Sequence, residues 1–278
     1  MCGIIGGIST ANIIPQLLQA LERLEYRGYD SMGLATVGAG GLQRRRSVGK
    51  FAQLQQMVEA QPLSGTIGVG HTRWATHGVV SEANAHPHSD GHVAVVHNGI
   101  IENFQTLKNT LMAQGVVFES ETDTEVVVHL ISQALRSGKT LEQAATQVLP
   151  QLEGAFALVI LSQSFPDKMV VARRGKSPLA VGLGADGSSV YAGSDAIALA
   201  GLAQQIAYLE DGDWGVLQRG AIVLKTLDGG PVERPFIPNP IQPDALNHHR
   251  RLCFCVQIGN PGPCGGRGAR VWCACCRA

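Results

Sequence analysis

The 278-residue chain is 45% hydrophobic and 16% charged, a balance typical of folded globular proteins that excludes global disorder. It has no run of 18 apolar residues and no basic segment at its amino terminus, so neither a membrane-spanning helix nor a signal peptide is predicted. Five of its 22 Lys and Arg follow Asp244, which leaves residues 1–244 with 17 basic against 22 acidic residues, a net charge of −5 that argues against nucleic acid as a main partner.

Apolar periodicity predicts both strands and helices along the chain. Strands are expected at 3–8, 33–37, 67–74, 92–97, 155–161, 169–173, 179–182, 190–192, 214–218 and 222–226. Helices are expected at 15–25, 51–60, about 102–114, 123–137 and 140–149. Two of these helices start with a capping-box pattern, Thr122 with Glu125 and Thr140 with Gln143. This order of elements favours two sheets with helices packed on their outer sides.

The composition changes sharply after residue 230. Five prolines between 231 and 243 interrupt regular structure, so residues 231–244 are interpreted as a linker that follows a domain at 2–230. Residues 245–278 contain six of the seven cysteines, lack apolar periodicity, and are predicted to be disordered or non-native. A zinc site in this tail is an alternative, although its cysteine spacings are irregular.

The remaining cysteine, Cys2, follows the initiator Met. A single cysteine among the first 244 residues fits a reducing compartment, and a cytoplasmic location is expected. Removal of Met1 would place a thiol and a free α-amine on one residue, and an amine with a pKa of about 7.7–8.0 can take the proton of a thiol. Cys2 is therefore a candidate nucleophile that carries its own general base. Its alternative role is that of a small buried hydrophobe.

Polar residues follow two of the predicted strands and precede one helix. Arg73 has a planar guanidinium that could hold a carboxylate, and the Asn98-Gly99 pair could form an oxyanion hole. Asp123 could accept hydrogen bonds from an ammonium group. Each pattern also has a simpler interpretation: a surface ion pair for Arg73, a turn for Asn98-Gly99, and a favourable charge at a helix start for Asp123.

Histidines are concentrated in one part of the chain. Six of the nine lie between residues 71 and 97, which raises the question of a metal site. The segment has no His-x3-His pair on a helix, no HExxH motif and no pair of CxxC motifs. Structural hydrogen bonding by these imidazoles is expected instead, and neither a metal nor an organic cofactor is predicted.

Six segments, taken in order, resemble one enzyme family. They are Cys2 at the terminus, Leu24-Glu-Tyr-Arg-Gly-Tyr-Asp-Ser31, His71-Thr-Arg-Trp-Ala-Thr-His-Gly78, Asn84-Ala-His-Pro-His88, Val96-His-Asn-Gly-Ile-Ile-Glu-Asn103 and Ser120-Glu-Thr-Asp-Thr-Glu-Val126. Over residues 2 to about 230 the set closely resembles the glutaminase half of the glutamine–fructose-6-phosphate aminotransferases. The wider class-II glutamine amidotransferases share the amino-terminal Cys and the Arg and Asn-Gly elements.

This resemblance implies a fold and a set of residue roles. The fold is the α+β N-terminal nucleophile (Ntn) hydrolase fold, a four-layer αββα sandwich of two antiparallel sheets between helix layers. The implied catalytic residues are Cys2, which attacks the side-chain amide of glutamine, and the oxyanion hole of Asn98 and Gly99. The implied substrate-binding residues are Arg73 for the α-carboxylate, Asp123 for the α-ammonium, Thr76 and His77 in the pocket wall, and Trp74 near the ammonia exit.

Full-length members of this family continue into two sugar-isomerase domains, which are absent from this chain. Those domains bind fructose 6-phosphate and receive the ammonia. The resemblance therefore implies that this chain hydrolyses L-glutamine without itself making glucosamine 6-phosphate. The fragment is expected to be monomeric, because the homodimers of the family use mostly the missing half. Two alternatives stay open: an inactive or regulatory fragment that needs the isomerase half, and an acceptor domain supplied by a separate chain.

Overall fold

The computed structural model describes residues 2–74 and 78–241, whose strands form two antiparallel sheets. The first sheet has, in spatial order, β15 (Ile237–Pro238), β11 (Gln205–Tyr208), β9 (Ala180–Leu183), β10 (Val190–Gly193), β1 (Gly3–Ile8), β4 (Ile67–Arg73), β2 (Ser31–Gly38) and β3 (Gly41–Val48). The second has β14 (Pro231–Val232), β13 (Ala221–Thr226), β12 (Asp213–Gln218), β8 (Phe165–Arg174), β7 (Gly154–Ser162), β6 (Val93–Ile101) and β5 (His88–Ser89).

Helices cover the outer faces of both sheets. The first sheet is covered by α1 (Ile14–Leu24) and α2 (Phe51–Ala60), and the second by α3 (Phe104–Ala113), α4 (Glu125–Arg136) and α5 (Leu141–Val148). In α1 the apolar residues recur at helical spacing, so Leu17, Leu21 and Leu24 are all buried against the sheet. None of the described helices is long and apolar enough to cross a lipid bilayer.

The main core lies between the two sheets. Because side chains alternate along a strand, Ile4 and Ile8 of β1 point into this core while Ile5 packs under α1. In β6 the same alternation places Val96 between the sheets and Val95 under the helices. The predicted two sheets with outer helices are therefore confirmed, and the described residues form an αββα sandwich.

The two predicted capping boxes have different outcomes. At α5 the box is confirmed, since the Thr140 hydroxyl accepts the Gln143 N–H at 3.2 Å and the Gln143 side chain accepts the Thr140 N–H at 2.9 Å. At α4 the prediction is wrong. This helix begins at Glu125 and has Thr124 as its uncapped N-cap residue. The Glu125 side chain instead turns back to the preceding loop, where backbone N–H groups compete successfully for its carboxylate.

The segment after residue 230 lies along both sheets. Strand β14 pairs with β13 at the edge of the second sheet, and β15 pairs with β11 at the edge of the first. Prolines fit at such edges because an edge strand has no obligatory hydrogen-bond partner on its outer side. The predicted linker at 231–244 is described as far as residue 241. The predicted tail at 245–278 lies outside the described residues.

Candidate active site

The pairing of β1 with β4 positions the candidate nucleophile. Gly3 pairs with Thr72, so Cys2 and Arg73, the next residues on the two strands, lie side by side at one end of the first sheet. The Trp74 N–H donates a hydrogen bond to Cys2 Sγ over 3.2 Å. Cys2 is partly buried, and the Trp74 side chain is 43% exposed at the surface beside it.

The surroundings of Cys2 favour its neutral thiol. Burial raises the pKa of this thiol above its ordinary value, although the Trp74 N–H and the Arg73 charge act in the opposite direction. Desolvation has the largest effect on the pKa, because the charged thiolate loses more hydration than these groups replace. Attack by Cys2 at neutral pH therefore requires a base that removes the thiol proton.

Asn98 reaches Cys2 from the opposite sheet. It lies on β6, and its Nδ2 donates a hydrogen bond to the Cys2 carbonyl oxygen over 3.0 Å. Gly99 follows with φ +126°, a conformation that strongly favours glycine. A Cβ at this position would lie 2.0 Å from the Ala155 carbonyl oxygen on the neighbouring strand. Only glycine therefore fits this position without moving the backbone.

Arg73 is a buried cation close to opposite charges. Its guanidinium contacts the carbonyl oxygens of Gly78 and Val79, each at 3.4 Å. Burial lowers the pKa of Arg73, and the charges of Cys2, Asp30 and Asp123 act to raise it. The same electrostatic neighbourhood thus contains the candidate nucleophile, the guanidinium and the Asp123 carboxylate.

Asp123 lies in the loop before α4, with one carboxylate oxygen held by the backbone. Its Oδ2 accepts the Ile101 N–H at 2.8 Å, just beyond the Asn98-Gly99 segment of β6. Its Oδ1 is 3.9 Å from His97 Nδ1, and the side chain is 15% exposed. The hydrogen bond to Ile101 fixes the carboxylate, while its exposed part is available to a ligand.

Two loops of the site are tied together by Asn84. Its Nδ2 donates to the Val79 carbonyl at 3.1 Å and to the Glu121 carboxylate at 3.0 Å. In return its Oδ1 accepts the Glu121 N–H at 2.9 Å. The segment after Arg73 and the loop that carries Asp123 are therefore joined through one carboxamide.

The segment Tyr26-Arg-Gly-Tyr-Asp30 contacts and supports the end of β4. A Cβ at Gly28 would lie 2.6 Å from the Arg73 carbonyl carbon, so the turn approaches the strand as only glycine allows. The Asp30 N–H donates to the Arg73 carbonyl at 3.1 Å, and the Tyr29 ring meets Trp74 edge-on at 5.3 Å. The family resemblance pointed to this segment, but its sequence pattern alone did not indicate this supporting role.

The candidate residues divide into those that the structure brings together and those that it does not describe. Cys2, Arg73, Trp74, Asn98, Gly99 and Asp123 meet at one end of the sandwich. Thr76 and His77 lie outside the described residues.

Four of the clustered histidines form a buried group beneath this site. They are His71, His86, His88 and His97. Both His86 and His97 hydrogen-bond to the Thr124 hydroxyl at 2.9 Å, which agrees with the predicted structural role. Among residues 2–74 and 78–241, no three His, Cys, Asp or Glu side chains come together as a metal site.

Glu125 holds the loop that carries Asp123. Its carboxylate accepts the N–H groups of Glu119 at 2.8 Å and Ser120 at 2.7 Å, and the Ser120 hydroxyl at 2.5 Å. Burial alone would raise its pKa, but these bonds and that from His129 outweigh burial and lower the pKa of Glu125 to about 2. Stabilisation from this carboxylate is therefore complete above its ordinary pKa and is lost as the pH falls toward 2.

We expect Glu125→Gln to lower the free energy of unfolding by on the order of 3 kcal/mol at pH 7, since the folded state favours the ionised group. At pH 3 the difference between wild type and variant should be less than half as large, because the carboxyl is then mostly protonated in the unfolded state, and the folded state gains less from keeping it ionised. Urea unfolding at both pH values measures this difference. A difference that stays constant with pH would contradict the assignment.

Sequence comparisons show which known proteins the chain is similar to. Residues 71–201 match the model of the glutamine amidotransferase domain. The chain is 54% identical over 237 residues to the isomerizing glutamine–fructose-6-phosphate aminotransferase of Zymomonas mobilis subsp. mobilis, a match that covers 85% of this chain and 39% of that protein. The corresponding enzyme of Mesorhizobium japonicum is 53% identical over 234 residues, with 84% and 38% covered. The chain thus spans less than two fifths of the length of these relatives.

Solved structures give the same fold. The glutamine phosphoribosylpyrophosphate amidotransferase of B. subtilis, complexed with ADP and GMP, superposes with a TM-score of 0.69 at 26% identity, over 81% of this chain and 49% of that one. A class-II glutamine aminotransferase domain protein from Silicibacter pomeroyi, 13% identical, superposes with a TM-score of 0.52 over 81% of this chain and 99% of its own. The predicted Ntn hydrolase fold is confirmed.

Proposed function

We propose that this chain, whose residues 71–201 match the glutamine amidotransferase domain, hydrolyses L-glutamine to L-glutamate and ammonia, with Cys2 as the nucleophile. One observation carries the proposal: the Cys2 thiol shares one end of the sandwich with the Asn98 carboxamide and with the opposite charges of Arg73 and Asp123. A free amino acid has a carboxylate and an ammonium group that match these two charges. A glutamine residue within a peptide has neither.

In this proposal each end of glutamine has its own partner. Arg73 binds the α-carboxylate through its planar guanidinium and Asp123 binds the α-ammonium. The family resemblance also implies that Thr76 and His77 bind the substrate and that Trp74 lies near the ammonia exit. Selectivity for a free amino acid follows, because a ligand that lacks either charge loses its attraction to Arg73 or to Asp123.

The first half of the reaction forms a thioester. Cys2 Sγ attacks the side-chain amide carbon and its proton passes to the Cys2 α-amine, while negative charge develops on the amide oxygen. Asn98 Nδ2 and the Gly99 N–H stabilise that charge. The amine then gives the proton to the leaving nitrogen, so that the C–N bond breaks and ammonia departs from a γ-glutamyl thioester.

The second half regenerates the enzyme. Water attacks the thioester carbon, the α-amine takes a proton from it, and the same oxyanion contacts serve the new tetrahedral intermediate. Collapse breaks the C–S bond and releases glutamate, and the thiol regains its proton. The α-amine is available only once Met1 is removed, and the base is required because the surroundings of the partly buried Cys2 favour its neutral thiol.

The wider role is proposed by analogy with the longer relatives. We propose that the ammonia is destined for fructose 6-phosphate, bound by the isomerase region that these relatives have in addition, and that this chain is a monomer of the cytoplasm. A thiol nucleophile suits such a reducing compartment. The two charges and the oxyanion donor around Cys2 support hydrolysis over the alternative of a fragment that only binds glutamine.

Glutamate release tests the proposal directly. The purified chain, checked by intact mass for loss of Met1, is incubated with L-glutamine, and glutamate and ammonia are quantified. We expect the two products in equal amounts, far slower turnover of L-asparagine, and no glucosamine 6-phosphate when fructose 6-phosphate is added. A chain with a free Cys2 amine that releases no glutamate would refute the proposal that it hydrolyses glutamine. Formation of glucosamine 6-phosphate would refute the proposal that this chain only hydrolyses glutamine.

Asp123→Asn should raise the KM for glutamine about 50-fold with a much smaller change in kcat. The carboxamide can still accept the Ile101 N–H, so the loop is retained, while the attraction for the α-ammonium is lost. Steady-state kinetics with glutamine measure both parameters. The matched control is Asp186→Asn, an exposed aspartate that caps its own turn, for which KM should be unchanged. An unchanged KM in Asp123→Asn would remove this residue from the ammonium site.

A further inference from the structure

A fully buried histidine connects the candidate oxyanion residue to the first sheet. His71 lies on β4 with no exposed surface, two residues before Arg73. Its Nε2 is 3.0 Å from two atoms of β6, the His97 carbonyl oxygen and Asn98 Oδ1. The imidazole therefore bridges the two sheets directly behind Asn98.

These two contacts determine where the imidazole proton lies. A carbonyl oxygen can only accept a hydrogen bond, so the contact with His97 places the proton on Nε2 of His71. Its Nδ1 has no hydrogen-bond partner among the described residues, as suits the unprotonated nitrogen. Burial lowers the pKa of His71 to about 3, so the ring is neutral at physiological pH and carries a single N–H.

The Nε2–H in turn determines the orientation of the Asn98 carboxamide. A donor at Nε2 needs an acceptor opposite it, which assigns the near atom of Asn98 as Oδ1 and turns Nδ2 toward the Cys2 carbonyl. In the flipped carboxamide two N–H groups would meet at His71 and two oxygens would meet at Cys2. The other tautomer of His71 would remove only the first of these conflicts, and it would bring the Nε2 lone pair against the His97 carbonyl.

We propose that His71 is a positioning residue for glutamine hydrolysis: its Nε2–H, fixed by the His97 carbonyl, holds the Asn98 carboxamide so that Nδ2 faces the oxyanion that forms beside Cys2. This inference rests on the proposed function. Its direct consequence is that loss of the His71 donor impairs the transition state, in which the oxyanion exists, more than the binding of intact glutamine.

Two variants of His71 separate positioning from structural support. His71→Leu keeps an apolar volume but has no donor, whereas His71→Gln can place an amide N–H near the former Nε2 position. We expect kcat to fall about 10- to 100-fold in His71→Leu with KM changed less than threefold, and most of the loss to be recovered in His71→Gln. In an Asn98→Ala background, His71→Leu should cause little further loss, because the group that it positions is gone.

Alkylation of Cys2 by iodoacetamide provides a reference reaction that needs no oxyanion hole. Its rate in His71→Leu should stay within about twofold of wild type, which shows that the fold and the thiol are retained. The inference is overturned if His71→Leu keeps its kcat, if alkylation falls as much as hydrolysis, or if the losses from His71→Leu and Asn98→Ala simply multiply.

The proton position can be measured without any enzymatic activity. Long-range ¹H–¹⁵N correlation spectra of the wild-type chain at neutral pH should show His71 as the Nε2–H tautomer. An Nδ1–H tautomer would overturn the inference whatever the kinetics show. A chain that releases no glutamate but has the Nε2–H tautomer would refute the proposed function while leaving the hydrogen-bond assignment in place.

Discussion

Replacement of Cys2 by alanine should abolish glutamate release, with kcat reduced at least about a thousandfold. The thioester cannot form without the sulfur. Water would then have to attack the amide directly, with no thiol nucleophile and no covalent intermediate that divides the reaction into two easier steps. The loss should appear entirely in kcat, since the side chains of Arg73 and Asp123 are untouched. Coupled detection of glutamate gives the rate, and isothermal titration of the variant with glutamine gives the retained affinity.

Cys2→Ser is the matched control for this experiment. It keeps the size of the side chain and the neighbouring α-amine but replaces the thiol by a hydroxyl, which is a much poorer nucleophile at neutral pH. Residual activity in Cys2→Ser above that of Cys2→Ala would fit direct attack by the side chain. Wild-type rates in Cys2→Ala would exclude Cys2 as the nucleophile and would point to another residue or a contaminating glutaminase.

Gly99→Ala should reduce both activity and stability. At φ +126° the new Cβ would meet the Ala155 carbonyl oxygen at 2.0 Å, so β6 and β7 must separate at this point. We expect a loss of about 2–4 kcal/mol in the free energy of unfolding and a fall in kcat of about 100-fold or more, because the proposed oxyanion donors beside it are displaced. Urea unfolding and steady-state kinetics at a temperature where the variant is folded give the two values.

Gly91→Ala separates the conformational cost from the steric one. Gly91 also has a positive φ, +88°, but a Cβ there has no atom within 4 Å. Its replacement should cost only about 1 kcal/mol, the ordinary penalty for a non-glycine residue in this region, and should leave kcat unchanged. Equal effects of the two substitutions would show that the contact with Ala155 is not decisive.

Much of the fold could be predicted because its strands carry strong periodic patterns. The alternation in β1 and β6 reflects burial on two different faces, one toward the opposite sheet and one toward the helices. Strand β3, by contrast, was not predicted. It contains three consecutive arginines and is half-buried along most of its length, so no apolar period appears in its sequence.

The grouping of the candidate site residues could be predicted from the motifs taken together but not from single residues. Arg73, Asn98 and Asp123 each had a simpler interpretation, and only their order along the chain, with the family resemblance, favoured a shared site. The supporting contacts stayed hidden because they join residues that are far apart in sequence. His71 and Asn98 are separated by 27 positions, and no periodic pattern links a buried histidine to a particular carboxamide.

The short segment between β14 and β15 has a practical consequence for anyone who shortens this chain. Only residues 233–236 separate the two strands, so one stretch of backbone covers the outer edges of both sheets, with Phe236 packed against the core and Arg234 bound to Asp213 at 2.8 and 2.9 Å. A protein cut at residue 230 would expose the N–H and C=O rows of β11 and β13, which are templates for intermolecular pairing. For crystallisation or assay, we therefore expect a protein that retains β14 and β15 to be more stable than one cut at residue 230.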